Sequence, residues 1–467
     1  MNCLSSMRFR RGLTSAAVSC NQFRLVSHPP DLIKWVRSEG GFVHPSLHLS
    51  PTSSFGFGLI ASAAIPTGSL LIGLPSHIPL TLNDAPPLPV FSHLINLIPE
   101  ELWAMKLGLK LLQERAKAGS FWWPYISNLP ETYSVPIFFQ GEDIKNLQYA
   151  PLIYQVNKRC RFLLEFNKQL KHAVTNLKPM DHPFASQDVD ASSLGWAMSA
   201  VSSRAFRLHG KKLDGGNREN VPMMLPLIDM CNHSFYPNAK IVQDVNAEDP
   251  KMLVKVMAEK DIEQNDALEL NYGYLSNDFF LLDYGFVIPG NPYDTVELKY
   301  DGALLDAASI AAGVSSPCFS SPAPWQREIL SALNLDGEAP VLKVTLGGPD
   351  LVEGRLLAAL RVLQTQDAET VRKHDLSTLE SFSAEAPLGV PKEVSVLRTV
   401  IALCVIVLEH FPTKIMEDEA LLKEGVSSCS ELAIKFRIQK KSTIVNVMTQ
   451  MSKRLKLLLS KQSATAS

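Results

Sequence analysis

Apolar residues recur along this chain with two different spacings, and the changes between them mark out its organisation. Ile33, Trp35 and Val36 form a short helix-like stretch that stops at Gly40-Gly41. From Phe55 to Leu82 short runs of β-formers, Gly58-Leu59-Ile60-Ala61 and Ser69-Leu70-Leu71-Ile72, are punctuated by Gly and Pro and predict strands. Residues 84–89 are proline-rich and predict a loop. Between about 93 and 205 the spacing becomes helical: Leu102, Met105, Leu109 and Leu112 share one face, as do Ile153, Val156, Phe162, Leu163 and Phe166. Asp188 to Arg204 predicts a further helix with Asp190 or Ser192 as its N-cap.

Strand character returns over 221–287. Ile241-Val242 and Leu253–Val256 predict a pair joined by a turn at Asn246–Pro250, Glu269–Tyr272 predicts another strand, and Asn277–Tyr284 predicts a helix. Pro289, Gly290 and Pro292 then break the pattern. Beyond them 301–312, 349–366, 391–411 and 415–457 are helical in period, separated by Ser/Pro/Gly-rich loops at 313–324 and 334–349. The expected fold class is α+β: a strand-rich domain over 31–290 with a helical insert at about 93–205, followed by an all-helical domain over 291–467.

Composition narrows the function. A chain of 467 residues that is 46% hydrophobic and 20% charged suits a globular enzyme with a sizeable core. A net charge of −2 gives no reason to expect a nucleic-acid partner held by bulk charge. The seven cysteines include no CxxC pair, so neither a zinc cluster nor a disulfide framework is predicted, and a reducing compartment fits. Leu397–Phe411 is the most apolar stretch, but it carries Arg398 and Glu409 and is too short to span a bilayer, so a buried helix is expected and no membrane partner. Residues 1–30 hold four arginines and several serines with no acidic residue. They read as an organellar transit peptide, chloroplast stroma before mitochondrion, against a disordered basic N-terminus and a cytoplasmic protein. A monomer is the default.

Three segments could carry chemistry. Gly56-Phe57-Gly58-Leu59 opens a strand and would let the backbone approach a ligand, although it lacks the third glycine and helix of a dinucleotide fingerprint. Asp229-Met230-Cys231-Asn232-His233-Ser234 is dense in hydrogen-bonding groups; on its own it reads equally as a polar turn, and Cys231 with His233 has no second ligand pair for zinc. Leu270-Asn271-Tyr272-Gly273-Tyr274 with Asp283-Tyr284-Gly285-Phe286 could line an aromatic slot for an aliphatic amine, or be core aromatics.

Taken in order, GFGL, Ser203-Arg204, DMCNHS, NYG and DYGF resemble the SET-domain methyltransferases, in the branch that contains the Rubisco large-subunit enzyme. Phe121–Pro130 (FWWPYISNLP) and Leu147–Leu152 (LQYAPL) resemble that branch's insert. The resemblance covers residues 32 to about 290, and the region after 290 is similar in size and position to the branch's substrate-binding domain.

The resemblance implies S-adenosylmethionine (SAM) as methyl donor and a protein bearing a target lysine as partner. It implies cofactor contacts at Phe55, Gly56, Phe57, Arg204, Asn232 and His233, with Arg204 meeting the donor's carboxylate. Family members often carry an acidic residue at the position of Phe55. It implies substrate contacts at Arg204, Asp229, Tyr272, Tyr284 and Phe286, with Tyr272 as the catalytic tyrosine and no metal. A second family arginine falls at Leu208, so that contact is either lost or supplied by neighbouring Arg207. Methyl transfer would be in line onto a neutral amine. Two rivals stand beside lysine methylation: a histidine methyltransferase of the same branch, against which apolar Phe206 weighs, and a SET-like binding module without catalysis. A histone methyltransferase is disfavoured by the missing cysteine-rich zinc flanks.

Overall fold

The computed structural model describes residues 24–52, 56–82, 88–210, 220–243, 252–314, 319–336 and 342–466. The basic stretch read as a transit peptide therefore lies largely outside the described residues, as do Phe55, the turn at 246–250 and most of the proline-rich loop. Twelve strands are present among the described residues: β1 Phe42–Val43, β2 Leu47–Thr52, β3 Gly56–Ala61, β4 Leu70–Leu74, β5 Ala205–His209, β6 Asn220–Met224, β7 Asn232–His233, β8 Ala239–Val242, β9 Val254–Ala258, β10 Glu269–Leu270, β11 Thr295–Lys299 and β12 Lys343–Gly347.

The chain divides into two units. The first holds residues up to Glu142, then Tyr154–Tyr274 and Leu281–Phe286; the second holds Asp143–Ile153, Leu275–Phe280 and everything from Val287. The expected boundary near 290 thus falls at Phe286/Val287. Two short segments on the N-terminal side of it, 143–153 and 275–280, group with the C-terminal unit instead of the strand-rich one.

In the first unit a four-stranded antiparallel sheet runs in the order β1-β4-β9-β8. Leu71, Ile72, Leu74, Val254 and Val256 are fully buried in it, which explains why these strands are continuous apolar runs. The anticipated pairing of 241–242 with 253–256 forms, with Val242 opposite Lys255. Flanking pairs β2-β3 and β5-β6 are antiparallel, and β7-β10 is parallel.

The insert is helical as expected. Helix Ala150–Val174 buries Val156, Cys160, Leu163, Phe166 and Leu170 at three- and four-residue steps. Helix Ala191–Arg204 starts at Asp190, whose carboxylate accepts the Ser193 N–H at 2.7 Å, a normal N-cap. It packs against helix Trp103–Ala116 and ends on Arg204, so the guanidinium stands at the electronegative end of the helix.

Among its described residues the second unit is helical apart from one antiparallel pair, β11-β12. β12 lies inside the stretch 334–349 expected to be loop. Its Val344, Leu346 and Gly347 are buried while Lys343 is exposed, an alternation too short to stand out among the surrounding Gly and Pro. The predicted helix 415–457 is two helices, Ile415–Glu424 and Ser428–Ala466, parted at Gly425. Val390–Glu409 is the buried helix anticipated from the apolar run. No helix among the described residues is long and apolar enough to cross a membrane.

Candidate active site

The site is assembled on the last turn of helix Ala191–Arg204, on β3, on β7 with β10, and on the turn that follows β10. Leu268 joins three of these: its N–H donates to the Leu59 carbonyl of β3 at 2.8 Å and its carbonyl accepts the Asn232 N–H at 3.2 Å. Asn232 and His233 lie opposite Glu269 and Leu270 in the parallel pair. Asn238 clamps β10, donating to the Ala267 carbonyl at 2.8 Å and accepting the Glu269 N–H at 2.9 Å. Its position beside Pro237 marks only a turn in the sequence, so this support was not anticipated.

Tyr272 leaves β10 directly onto His233. Its N–H donates to His233 Nδ1 at 3.1 Å, and the rings are 5.2 Å apart. Nδ1 is thus the acceptor, and the neutral ring carries its proton on Nε2. Burial lowers the imidazole pKa to about 4, so it stays neutral near pH 7. The strand expected over 269–272 stops at Leu270 because Asn271 turns the chain: its Oδ1 accepts the Gly273 N–H at 2.7 Å.

The Tyr272 hydroxyl donates to the Cys231 carbonyl. Burial pushes its pKa far above the ordinary phenol value, and the neighbouring Cys231, Tyr284 and Asp229 add to the rise. A phenol in this state is a fixed proton donor with its lone pairs facing away from that carbonyl; it is not a base. Tyr284 stacks on Tyr272 at 5.2 Å and 20°, and Phe286 follows at 5.9 Å from Tyr284. The three rings predicted to line a slot do therefore stand together.

Their order depends on the residue between them. Gly285 has φ +79°, and a Cβ there would lie 2.9 Å from the Ser134 carbonyl oxygen, so no larger residue fits. The adjoining Asp283 accepts from Arg159 Nη1 at 2.6 Å, fixing the π-helical turn Phe280–Tyr284 that ends at Tyr284.

Behind the rings lies a buried polar cluster. Arg204 Nη1 donates to the Asp229 carbonyl at 3.0 Å and to its Oδ2 at 3.3 Å, and the Tyr125 hydroxyl donates to the same Oδ2 at 2.7 Å. The Asp229 side chain is 0% exposed. The Asp229 carboxylate, read from the resemblance as a substrate contact, is engaged here by Arg204 and Tyr125 behind the rings. Arg204 is half-buried and keeps only part of its guanidinium fork for a bound carboxylate. Arg207 does not replace the family arginine lost at Leu208, because successive side chains of β5 point to opposite faces. It is exposed and lies over the Trp103 ring at 4.9 Å.

Gly56 adopts φ +85° at the start of β3, a conformation that favours glycine. Arg24 lies 3.7 Å over the Phe57 ring. No group of three or more His, Cys, Asp or Glu able to hold a metal occurs among the described residues.

Residues 56–273 match the SET domain family model and residues 319–444 match the Rubisco LSMT substrate-binding model. The chain is thus a SET-domain protein, a SAM-dependent methyltransferase by class. With both domains present in this order it fits the Rubisco LSMT-like branch. Among curated proteins it resembles the actin-histidine N-methyltransferases of Mus musculus, 27% identical over 430 residues, and of Homo sapiens, 26% identical over the same length. Each comparison covers 89% of this chain and 67% of the relative, so the chain spans about two thirds of their length.

Two solved structures share its fold. The SET domain of LSMT bound to lysine and AdoHcy gives a TM-score of 0.62 at 20% identity, covering 91% of both chains. Rubisco LSMT bound to AdoMet gives 0.60 at 19% identity, covering 91% of this chain and 92% of that one.

Proposed function

We propose that this chain is a protein-lysine N-methyltransferase acting on a non-histone protein, with Tyr272, Tyr284 and Phe286 as the walls that receive the lysine side chain. The observation that carries the reading is the stacked pair Tyr272–Tyr284, closed by a phenol whose proton is committed to the Cys231 carbonyl. Aromatic faces suit an alkyl stem and disfavour a charged ammonium that has lost its water, so the amine sheds its proton more readily there. Phe206, two residues beyond Arg204, offers no amide to an imidazole, which supports an amine acceptor.

The residues present fit SAM. Neutral His233, Asn232, the backbone at Gly56-Phe57 and the remaining fork of Arg204 would hold it, and the Arg204 Nε is a buried donor with no hydrogen-bond partner among the described residues. SAM supplies a methyl group on a sulfonium. The protein's own part is positional. Tyr272, held at both its N–H and its hydroxyl, presents phenol lone pairs at a fixed point. Tyr284 and Phe286 exclude water and align the amine. We place the protein in an organelle on the strength of residues 1–30; a fluorescent protein fused behind those residues should leave the cytosol.

Histidine methylation is the second reading, favoured by the curated relatives, which are named for that activity. The deciding experiment incubates the purified chain with labelled SAM, an organelle extract and, separately, actin, then maps the label by mass spectrometry. Label on lysine Nζ is the expected result. Label confined to an imidazole overturns the lysine assignment. No labelled protein, together with no thermal stabilisation at high SAM, favours a binding module.

A further inference from the structure

The insert signature FWWPYISNLP supplies one side chain to the polar cluster behind the site. Tyr125 sits on the short helix Trp123–Ile126, is 0% exposed, and donates its hydroxyl to Asp229 Oδ2 at 2.7 Å. Its helix is pinned on three sides. Trp122 Nε1 donates to the Ile78 carbonyl at 2.9 Å, and Asn128 Nδ2 donates to the Pro124 carbonyl at 2.7 Å and to the Pro30 carbonyl at 2.9 Å.

Asp229 in turn is the middle residue of the 3-10 turn Ile228–Met230, whose next residue, Cys231, carries the carbonyl that holds Tyr272. Arg204 is fixed by the same aspartate at two oxygens. The other carboxylate oxygen, Asp229 Oδ1, is buried without a hydrogen-bond partner among the described residues, so Tyr125 and Arg204 are the side chains that support the group.

We infer that Tyr125 is a positioning residue of the active site: its hydroxyl holds the Asp229 carboxyl group in place, and that group holds Arg204 and the turn before Asn232 in the arrangement that binds SAM. The inference rests on Arg204 being a SAM contact, as proposed above. Complete burial pushes the Asp229 carboxyl up, and the charge of Arg204 and the Tyr125 hydrogen bond oppose that rise. Besides these two, Tyr133, Tyr272 and the Cys231 thiol face the carboxyl, and burial keeps all three protonated near pH 7. None brings a charge that could stand in for the hydrogen bond from the Tyr125 hydroxyl. Without that hydroxyl the carboxyl would hold its proton to higher pH, and Arg204 would lose its counter-charge.

The test measures SAM affinity by calorimetry from pH 6 to pH 9, together with melting temperature, for wild type, Tyr125→Phe, Tyr125→Phe/Asp229→Asn and Trp122→Phe. Wild type should bind across the range. Tyr125→Phe should bind about tenfold or more weakly at pH 6, the loss of one hydrogen bond to a charged acceptor, and recover towards pH 9. Trp122→Phe breaks a bond of the same segment, so it should melt earlier with an unchanged pH profile. The double variant, having no carboxyl to titrate, should lose the pH dependence. If Tyr125→Phe binds SAM with the wild-type profile, or if its profile changes no more than that of Trp122→Phe, the inference fails. If Tyr125→Phe does not fold, the double variant must restore a melting transition; failure there also overturns it. A wild-type protein that does not bind SAM would instead sink the cofactor reading, and one whose affinity is untouched by Arg204→Ala would sink the Arg204 assignment.

Discussion

Tyr272 and His233 meet through one backbone hydrogen bond, and this sets what each can do. The Tyr272 phenol stays protonated and donates to Cys231, so its removal takes a fixed oxygen out of the site and also leaves the Cys231 carbonyl without its donor. Tyr272→Phe is expected to bind SAM with near wild-type affinity while methyl transfer falls about 100-fold, ~2.7 kcal/mol in barrier; single-turnover transfer of labelled methyl checks it, and retained full transfer would remove the assigned role. His233 predicts a pH effect with a definite sign. Its folded pKa, about 4, lies below the ordinary 6.5, so the folded state resists a proton that the unfolded chain accepts. The stability it contributes is complete above about pH 6.5 and is lost as pH falls through 4. Melting temperatures between pH 4 and 7 should therefore fall less steeply in His233→Asn than in wild type; parallel curves would show that the ring is not held neutral. These two residues were legible because NH and NYG carry the family resemblance, but the bond between them was not, since a parallel pairing between positions 37 apart in the chain leaves no local trace.

Elements read from period proved firmer than elements read from punctuation. The helices of the insert and Val390–Glu409 declare themselves because a buried stripe must recur every three or four residues. β12 does not, because five residues between Gly-rich flanks cannot establish a period. The helical turn over 277–284 is visible as apolar spacing, yet its widening into a π turn at Phe280–Tyr284 is not, since that depends on Arg159 holding Asp283 from another helix. Tyr125 illustrates the same limit: FWWPYI marked the branch, but only packing shows that its tyrosine stands behind Asp229. The turn bearing Tyr284 and Phe286 gives a prediction at this scale. Gly285→Ala introduces a Cβ 2.9 Å from a backbone oxygen at a positive φ, where neither the backbone nor Ser134 can yield cheaply. A loss of about 1–3 kcal/mol is expected on chemical denaturation, with methyl transfer reduced further than stability alone explains, because the rings of both Tyr284 and Phe286 move. Unchanged stability and rate would mean that the turn relaxes freely.

In the whole molecule the two units rest on different balances. The strand-rich unit is held by an apolar sheet, whereas the C-terminal unit buries three cations of one helix. Lys440 is 0% exposed and reaches Asp278, Asp294 Oδ1 at 2.7 Å and the Thr295 carbonyl at 2.7 Å; Arg437 and Lys441 close on the equally buried Asp418. Asp294 also accepts the Asn277 N–H at 2.9 Å, so one ammonium organises the segments 277–278 and 294–295. Such a cluster is a poor guide to net stability when intact, because desolvation offsets attraction, but removing one partner leaves the others charged in a dry interior. Lys440→Met should therefore cost about 3–5 kcal/mol in the unfolding transition that reports the C-terminal unit. The sign of its pH dependence follows from the groups left behind. In wild type the folded pKa of Lys440 lies above the ordinary lysine value, burial being outweighed by Asp278 and Asp294, so its contribution is full at neutral pH and is lost only as pH rises through that value. In the variant Asp278 loses this cation, and protonation relieves it. The difference between wild type and Lys440→Met should accordingly be widest near neutrality and shrink as pH falls into the carboxyl range, where burial already favours the protonated form of Asp278. A gap that stays constant with pH would show the loss to be one of packing alone, and the charge cluster would then not be what holds this unit together.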